Sequence, residues 1–132
     1  HLDGLIRPAL EAGKTVICDR FTDATFAYQG GGRGLPTDTI ATLQHIVQGE
    51  LRPDLTILLD ASLEVSAGRM ADRAASDRFE QEELEFFGRV RNTYRQIAAA
   101  EPDRVATVDA DRPLADVQAD IEKLLQERLT IG

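Results

Sequence analysis

The chain has 132 residues, of which 42% are hydrophobic and 29% are charged, a balance that is typical of a globular protein and not of a disordered one. This length predicts a single domain over residues 1–132. The formal net charge of −8 argues against a nucleic-acid surface, which needs a basic stripe, and no apolar run is long enough to span a bilayer.

The first predicted elements are a helix and a strand. Residues 1–10 lack an initiator Met and enter directly into a helical pattern, so we expect that this sequence has been cut from a longer protein. Residues 15–19 form a continuous apolar run, which predicts a buried strand. Cys18, the single cysteine, is expected to be a small buried residue of this strand. Because it cannot form an internal disulfide, a reducing cytoplasm is the simplest setting.

Apolar stripes at helical spacing predict three later helices, and the runs 55–60 and 105–109 predict two further strands. Gly49 is the expected C-cap of the first of these helices, whereas Asp111 and Pro113 are expected to begin the last. Strands separated by helices predict an α/β fold with a parallel sheet sandwiched by helices. The three stripes are Ile40, Leu43, Ile46 and Val47; Phe87, Val90, Tyr94 and Ile97; and Leu114, Val117, Ile121, Leu124 and Leu125.

Each predicted strand ends in an aspartate, which places Asp19, Asp60 and Asp109 along the sheet edge where ligands of α/β proteins bind. Asp60 and Asp109 are expected only to start turns and cap helices. Asp19 differs because Arg20 follows it directly. An adjacent carboxylate and guanidinium suit a metal-bound phosphate, since the acid holds the cation and the Arg forks onto phosphate oxygens.

Five segments in this order resemble the signature of the thymidylate kinase family, the P-loop enzymes that phosphorylate dTMP. The resemblance covers essentially the whole chain and implies the later part of a P-loop nucleoside monophosphate kinase fold. The segments are Asp19-Arg20-Phe21 with Thr25 and Ala27-Tyr28-Gln29, Gly30-Gly31-Gly32-Arg33-Gly34, Arg52-Pro53-Asp54-Leu55-Thr56, the run ending at Asp60, and Asp77-Arg78-Phe79-Glu80.

The resemblance implies a role for each residue of the first segment. Asp19 would lie near the magnesium, through water, and Arg20 would clamp the dTMP phosphate. Thr25 would help to read the thymine edge. Tyr28 would pack beside the deoxyribose, where it excludes a 2′-hydroxyl, and Gln29 would line the same pocket.

The residue types agree with these implied roles. A pyrimidine monophosphate needs a planar cation for its phosphate, a flat aromatic wall, and a few polar groups for the base edge. Arg20, Tyr28 and either Thr25 or Gln29 supply these groups on one short segment. The structural alternative is that the aromatic residues merely pack and that Arg20 pairs with the neighbouring aspartate.

The chain also departs from the family pattern. It contains no G-x-x-x-x-G-K-[ST] loop: Gly30–Gly34 has the wrong spacing, and Lys14-Thr15 leads into a predicted strand. The N-terminal P-loop part of the family and its upstream arginine for the acceptor are expected to precede His1. The family commonly has Ser where this chain has Ala24. The glycine run is expected to permit a tight connection under the substrate site.

The region 62–79 corresponds in the family to the lid over ATP, and its basic residues resemble one bacterial subtype. Arg69 or Arg73 would stabilise the transferring phosphoryl group, Arg69 would alternatively lie against adenine, and Arg78 belongs to the same lid. The alternative is a solvated helix face with ion pairs to aspartates. Asp77 and Glu80 are expected chiefly to form a capping box, with a second role in ordering the lid or the nucleotide sugar.

Together the resemblance implies transfer of the ATP γ-phosphoryl group to dTMP, giving dTDP, with Mg²⁺ as counter-charge. It implies small nucleotides as partners, without nucleic acid or membrane, and a cytoplasmic homodimer to which the stripe at 40–47 contributes. These 132 residues alone are expected to be inactive. Two alternatives remain: a P-loop deoxynucleoside kinase, and a non-catalytic dimerising or nucleotide-binding fragment.

Overall fold

The computed structural model of the protein describes residues 2–49, 51–73 and 81–129. Its first element is a π-helical turn that continues into helix α1. A second π-helical stretch, called here the π segment, directly follows helix α2. The bounds are Leu2–Ile6 (π turn), Arg7–Glu11 (α1), Thr22–Thr25 (α2), Phe26–Gly32 (π segment), Thr37–Gln48 (α3), Thr56–Asp60 (β1), Leu63–Arg73 (α4), Gln81–Ala100 (α5), Val105–Asp109 (β2) and Leu114–Leu129 (α6).

Strands β1 and β2 form a parallel sheet in register from the pair Thr56 and Val105 to the pair Asp60 and Asp109. The chain between them supplies α4 and α5, as a parallel connection requires. The buried apolar side chains of β2 meet those of α5 and α6, and the core includes Val90, Val105, Ala106, Val108 and Val117. The predicted α/β class is therefore confirmed. Within the described residues no helix has the length and apolarity needed to cross a membrane.

The prediction of a buried strand at residues 15–19 is wrong for the described structure. These residues have no strand partner, Ile17 is 94% exposed, and Cys18 is exposed as well. A strand exists only when a neighbour accepts and donates its backbone hydrogen bonds, and an apolar run cannot supply that neighbour itself. Asp19 consequently does not share the sheet edge on which Asp60 and Asp109 lie.

The helical stripes are only partly buried. On α5, Val90 is buried as predicted. On α3, among the stripe residues whose side chains are described, Ile40 is buried whereas Leu43 and Ile46 are exposed. The predicted C-cap of α3 is confirmed, because Gly49 has a φ of 61° and donates its backbone N–H to the His45 carbonyl at 2.9 Å.

Asp111 does not cap α6. Its Oδ1 accepts the backbone N–H of Ser62 at 2.8 Å and thereby holds the loop after β1. The first backbone bonds of α6 go instead to the Pro113 carbonyl, which accepts from Asp116 and Val117 at 3.0 and 3.2 Å. A side chain near a helix start can reach any nearby unpaired N–H, and the local sequence does not say which one.

Candidate active site

The candidate site begins after the mostly exposed residues 14–18, where the chain bends through Asp19 and Arg20 into α2. Arg20 has a φ of 57°, and it is the only described residue other than glycine with a positive φ. A left-handed backbone costs such a residue about 1–3 kcal/mol, so the surrounding structure must enforce it. This bend sends the Arg20 side chain back toward the π segment.

The Arg20 guanidinium lies over the ring of Tyr28, with its Cζ atom 5.2 Å from the ring centroid. A cation over an aromatic face at an exposed site contributes about 0.5–1 kcal/mol. The alternative expectation, an ion pair between Arg20 and Asp19, is wrong within the described residues, where Arg20 contacts the tyrosine instead. The donors of the guanidinium therefore remain available beside an aromatic wall.

Helix α5 completes that wall. The Tyr28 ring lies 6.0 Å from Phe86 and 6.4 Å from Tyr94, in tilted and edge-on geometries. Phe86 in turn meets Phe87 edge-on at 5.3 Å. Such offset and edge-on pairs are the preferred arrangements of aromatic rings, so the Tyr28 ring is held in one orientation.

Tyr94 is a site residue that the sequence analysis assigned only to an apolar stripe. Burial raises the pKa of its hydroxyl, and Tyr28, Asp23 and Asp19 raise it further, whereas Arg20 lowers it. The Tyr94 hydroxyl therefore stays protonated and lies within electrostatic range of the Asp19–Arg20 bend. One feature of the sequence could have indicated this role. A tyrosine in an apolar stripe needs a polar partner for its hydroxyl, which suggests that its end reaches a polar site.

The glycine run places the π segment directly on α5. A Cβ atom at Gly31 would overlap the Thr93 side chain, and one at Gly32 would lie 2.6 Å from Cε2 of Phe86. The carbonyl of Gly32 accepts from Nε of Arg89 at 3.0 Å. The glycine run therefore packs closely on α5, and it is helical where a tight connection was predicted.

Two other predicted binding residues lie on the same stretch but face different surroundings. Thr25 is exposed at the last position of α2. Gln29 is half-buried, and its Oε1 accepts from Nη1 of Arg33 at 3.2 Å. The side-chain oxygen of Gln29 therefore already accepts a hydrogen bond from Arg33, whereas Thr25 is exposed at the surface.

Asp19 is exposed, and the described residues contain no group of three or more potential metal ligands. A single carboxylate still fits Mg²⁺, which keeps several waters and takes one or two carboxylates together with substrate phosphates. Among the described residues, Asp19 therefore offers a cation one exposed carboxylate.

At the sheet edge, Asp60 forms a two-point ion pair with Arg91, at 2.8 Å to Nε and 3.2 Å to Nη2. This pair raises the pKa of Arg91. Asp109 accepts the backbone N–H of Asp111 at 3.0 Å, which confirms its predicted role in a turn. Asp60 was predicted to cap a helix. It forms an ion pair with Arg91 instead, because α5 places the Arg91 guanidinium next to it.

Arg69 extends from α4 and donates from Nη2 to the carbonyl of Ala110, at 2.9 Å, in the loop after β2. The structure thus brings Arg69 to the sheet edge and records no contact with the described Arg20–Tyr28 pair. Arg73 ends α4, but its side chain lies outside the described residues, as do the predicted lid residues Asp77, Arg78 and Glu80.

The fold and site define an α/β protein with a parallel sheet and an arginine stacked on an aromatic cluster. The family model for thymidylate kinase matches residues 1–121. Relatives named thymidylate kinase from Pseudomonas savastanoi and Neisseria gonorrhoeae are each 56% identical, over 99% and 95% of this chain. The chain belongs to the thymidylate kinase family.

A crystal structure of thymidylate kinase from Ehrlichia chaffeensis is similar, with a TM-score of 0.74 and 31% identity over 96% of this chain. That match confirms the predicted relation to the thymidylate kinase fold. The chain spans about three fifths of its relatives: 62% and 61% of the two curated proteins, and 57% of the solved structure.

Proposed function

We propose that the protein to which these residues belong transfers the γ-phosphoryl group of ATP to dTMP, giving dTDP. The observation that carries this proposal is the Arg20 guanidinium, held 5.2 Å above the Tyr28 ring on a segment that matches the family. This geometry sets a planar cation next to a flat hydrophobic surface, as a nucleoside monophosphate requires.

In this proposal the Arg20 guanidinium binds two oxygens of the dTMP phosphate. Tyr28 packs beside the deoxyribose and excludes a 2′-hydroxyl. Thr25, exposed one turn before Tyr28, reads the thymine edge. Gln29 lines the pocket after its side chain leaves Arg33. Arg20 acts mainly by positioning the acceptor, because phosphoryl transfer depends on alignment and charge stabilisation.

Mg²⁺ is the proposed counter-charge of the ATP phosphates. Asp19 would hold it through water, since its carboxylate is exposed next to the phosphate-binding Arg20. When bound, the cation neutralises charge on the transferring group. The contribution of the chain itself is to keep Asp19 and Arg20 adjacent at a fixed bend.

The basic residues of α4 and the following residues are the proposed lid over ATP. Arg69 donates to the Ala110 carbonyl in the loop after β2, and its proposed role is to lie against adenine. Arg73 is then the better candidate to reach the transferring phosphoryl group. Arg78, Asp77 and Glu80 are proposed to order this lid.

We further propose a cytoplasmic homodimer. Leu43 and Ile46 form an exposed apolar pair on α3, and burying such a pair against a second copy removes it from water. Residues 1–132 are proposed to belong to one domain of the longer protein. As a separate polypeptide they lack a phosphate-binding loop motif, and we expect no turnover from them.

A coupled assay of ADP release tests the proposal on the full-length protein that contains these residues. We expect turnover with dTMP and none with thymidine. Preference for thymidine would replace the assignment with a deoxynucleoside kinase. Absence of turnover with both, together with self-association in sedimentation, would favour a non-catalytic dimerising protein.

A further inference from the structure

A cluster of charges around Arg104 lies outside every role described above. The Arg104 side chain is 14% exposed and donates to three side chains. Its Nη1 and Nη2 bind both carboxylate oxygens of Asp23 at 2.8 and 3.2 Å. Its Nε and Nη2 bind Glu101 at 3.1 and 2.7 Å, and Nη1 also binds Oγ1 of Thr56 at 3.0 Å.

One side of this cluster belongs to the rigid frame of the protein. Arg104 directly precedes β2, its carbonyl accepts from the backbone N–H of Thr56 at 2.8 Å, and its own N–H donates to Glu101 at 3.1 Å. Because Thr56 is the first residue of β1, the guanidinium is fixed to both strands of the sheet. The carboxylates of Glu101 and Asp23 both raise the pKa of Arg104.

The other side of the cluster belongs to the candidate site. Asp23 is 20% exposed and lies in the first turn of α2, three residues after Arg20 and two before Thr25. Among the described residues, no backbone hydrogen bond joins residues 15–21 to another element. Two contacts therefore anchor the chain around the bend at Arg20. One is the packing of the π segment on α5, and the other is the bond between Asp23 and Arg104, which lie 81 residues apart in sequence.

We propose that Arg104 is a positioning residue that, through Asp23, holds α2 and the strained bend at Arg20 in the geometry that binds the acceptor phosphate. The proposal rests on the proposed function and adds to it a residue that touches no substrate. A two-point bond between ionised groups fixes orientation as well as distance. Displacing a binding group by about 1 Å can cost a reaction about 100-fold.

Two variants distinguish a positioning role of Arg104 from a general contribution to the stability of the fold. Asp23→Asn and Glu101→Gln each remove the charge of one two-point partner of Arg104, but only Asp23 lies on the site segment. In the full-length protein we expect Asp23→Asn to raise the KM for dTMP about tenfold with the KM for ATP unchanged. Glu101→Gln should leave both KM values within about twofold, because Thr56 and the backbone still hold Arg104.

Hydrogen exchange of the nucleotide-free protein supplies a readout independent of activity. Asp23→Asn should speed exchange of the amides in residues 19–25 about tenfold, whereas Glu101→Gln should not. If Asp23→Asn does not fold, Asp23→Glu, which keeps the charge but shifts the carboxylate, should show the same selective change in a smaller degree.

Equal KM values for dTMP in both variants, or equal exchange in residues 19–25, would overturn the proposal. The two proposals fail separately. If the wild-type protein shows no turnover with dTMP, the proposed function is wrong, while the exchange experiment still decides whether Arg104 holds α2.

Discussion

Residues 15–19 and β2 are two versions of one pattern, Thr-Val-Ile-Cys-Asp and Val-Ala-Thr-Val-Asp, and only the second is a strand. Ile17 in the first is 94% exposed, whereas Val108 in the second is 3% exposed. Strand β2 pairs residue by residue with β1 and is covered by α5 and α6. The comparison shows that, for two runs of similar pattern, the neighbouring elements decide which run forms a strand.

The two regions also have different roles in the protein. The exposed region leads into the strained bend of Arg20 and the proposed acceptor site. The sheet region supplies the buried core, and through Arg104 and α5 it holds that bend in place. Changes near Arg20 should therefore affect activity most, and changes in β2 should affect stability most.

The largest expected effect comes from Arg20→Ala in the full-length protein. Loss of a forked, charge-assisted contact of about 1.5–3 kcal/mol predicts a fall of about 10- to 160-fold in kcat/KM for dTMP. Steady-state kinetics with dTMP as the varied substrate measures it.

Arg128→Ala is the matched control, because Arg128 binds only the distant Asp103 carbonyl among the described contacts. We expect its kcat/KM to stay within about twofold of the wild type. Equal losses in the two variants would contradict the division between the regions.

A pair of truncations in the two matched runs compares their burial directly. Val108→Ala should lower the free energy of unfolding of the 132-residue chain by about 2 kcal/mol, since it leaves a cavity beside α5 and α6. Ile17→Ala should change it by less than about 0.5 kcal/mol. Urea unfolding of both variants gives these values, and a large loss for Ile17→Ala would mean that residues 15–19 are covered.

A second pair tests how closely the site segment lies on α5. Gly31→Ala should destabilise the chain by about 1–3 kcal/mol, because the added Cβ meets the Thr93 side chain. Gly68→Ala, in a helix with open space around the Cα atom, should instead stabilise it by up to about 1 kcal/mol. Thermal unfolding separates the two, and equal shifts would contradict the close approach.

The smallest expected effect is a pH dependence. The hydrogen bonds from Arg104 lower the pKa of Glu101 below its ordinary value of 4.5. Its stabilisation is therefore fully present above pH 4.5 and is lost as the pH falls through the lower, folded-state value. Glu101→Gln should be less stable than the wild type at pH 7, and the difference should shrink toward pH 3. A constant difference across this range would exclude the ionised pair as its cause.

Most elements of the fold follow from local patterns. The helical stripe of α5, the Gly49 cap and the two paired strands were predicted because each depends on spacing within one short stretch. The roles of Asp111 and Asp60 were not predictable in this way. Their partners, Ser62 and Arg91, are 49 and 31 residues away.

The candidate site likewise has features that the sequence predicted and features that it did not. The segment from Asp19 to Gln29 was predicted from residue types and order, and it lies within the residues that the family model matches. The left-handed bend at Arg20, the contribution of Tyr94, and the Asp23–Arg104 bond were not found. The last two depend on side chains that other elements bring to the site.

Residue order alone established the family, the α/β class, and the short stretch that bears the acid, the cation and the aromatic ring. Packing alone established that the guanidinium rests on Tyr28 and not beside Asp19, and that a distant arginine binds Asp23 next to the bend. The reason is physical: periodicity and turn chemistry act over a few neighbouring residues, whereas burial, ion pairing and strand formation need partners that only the folded chain brings together.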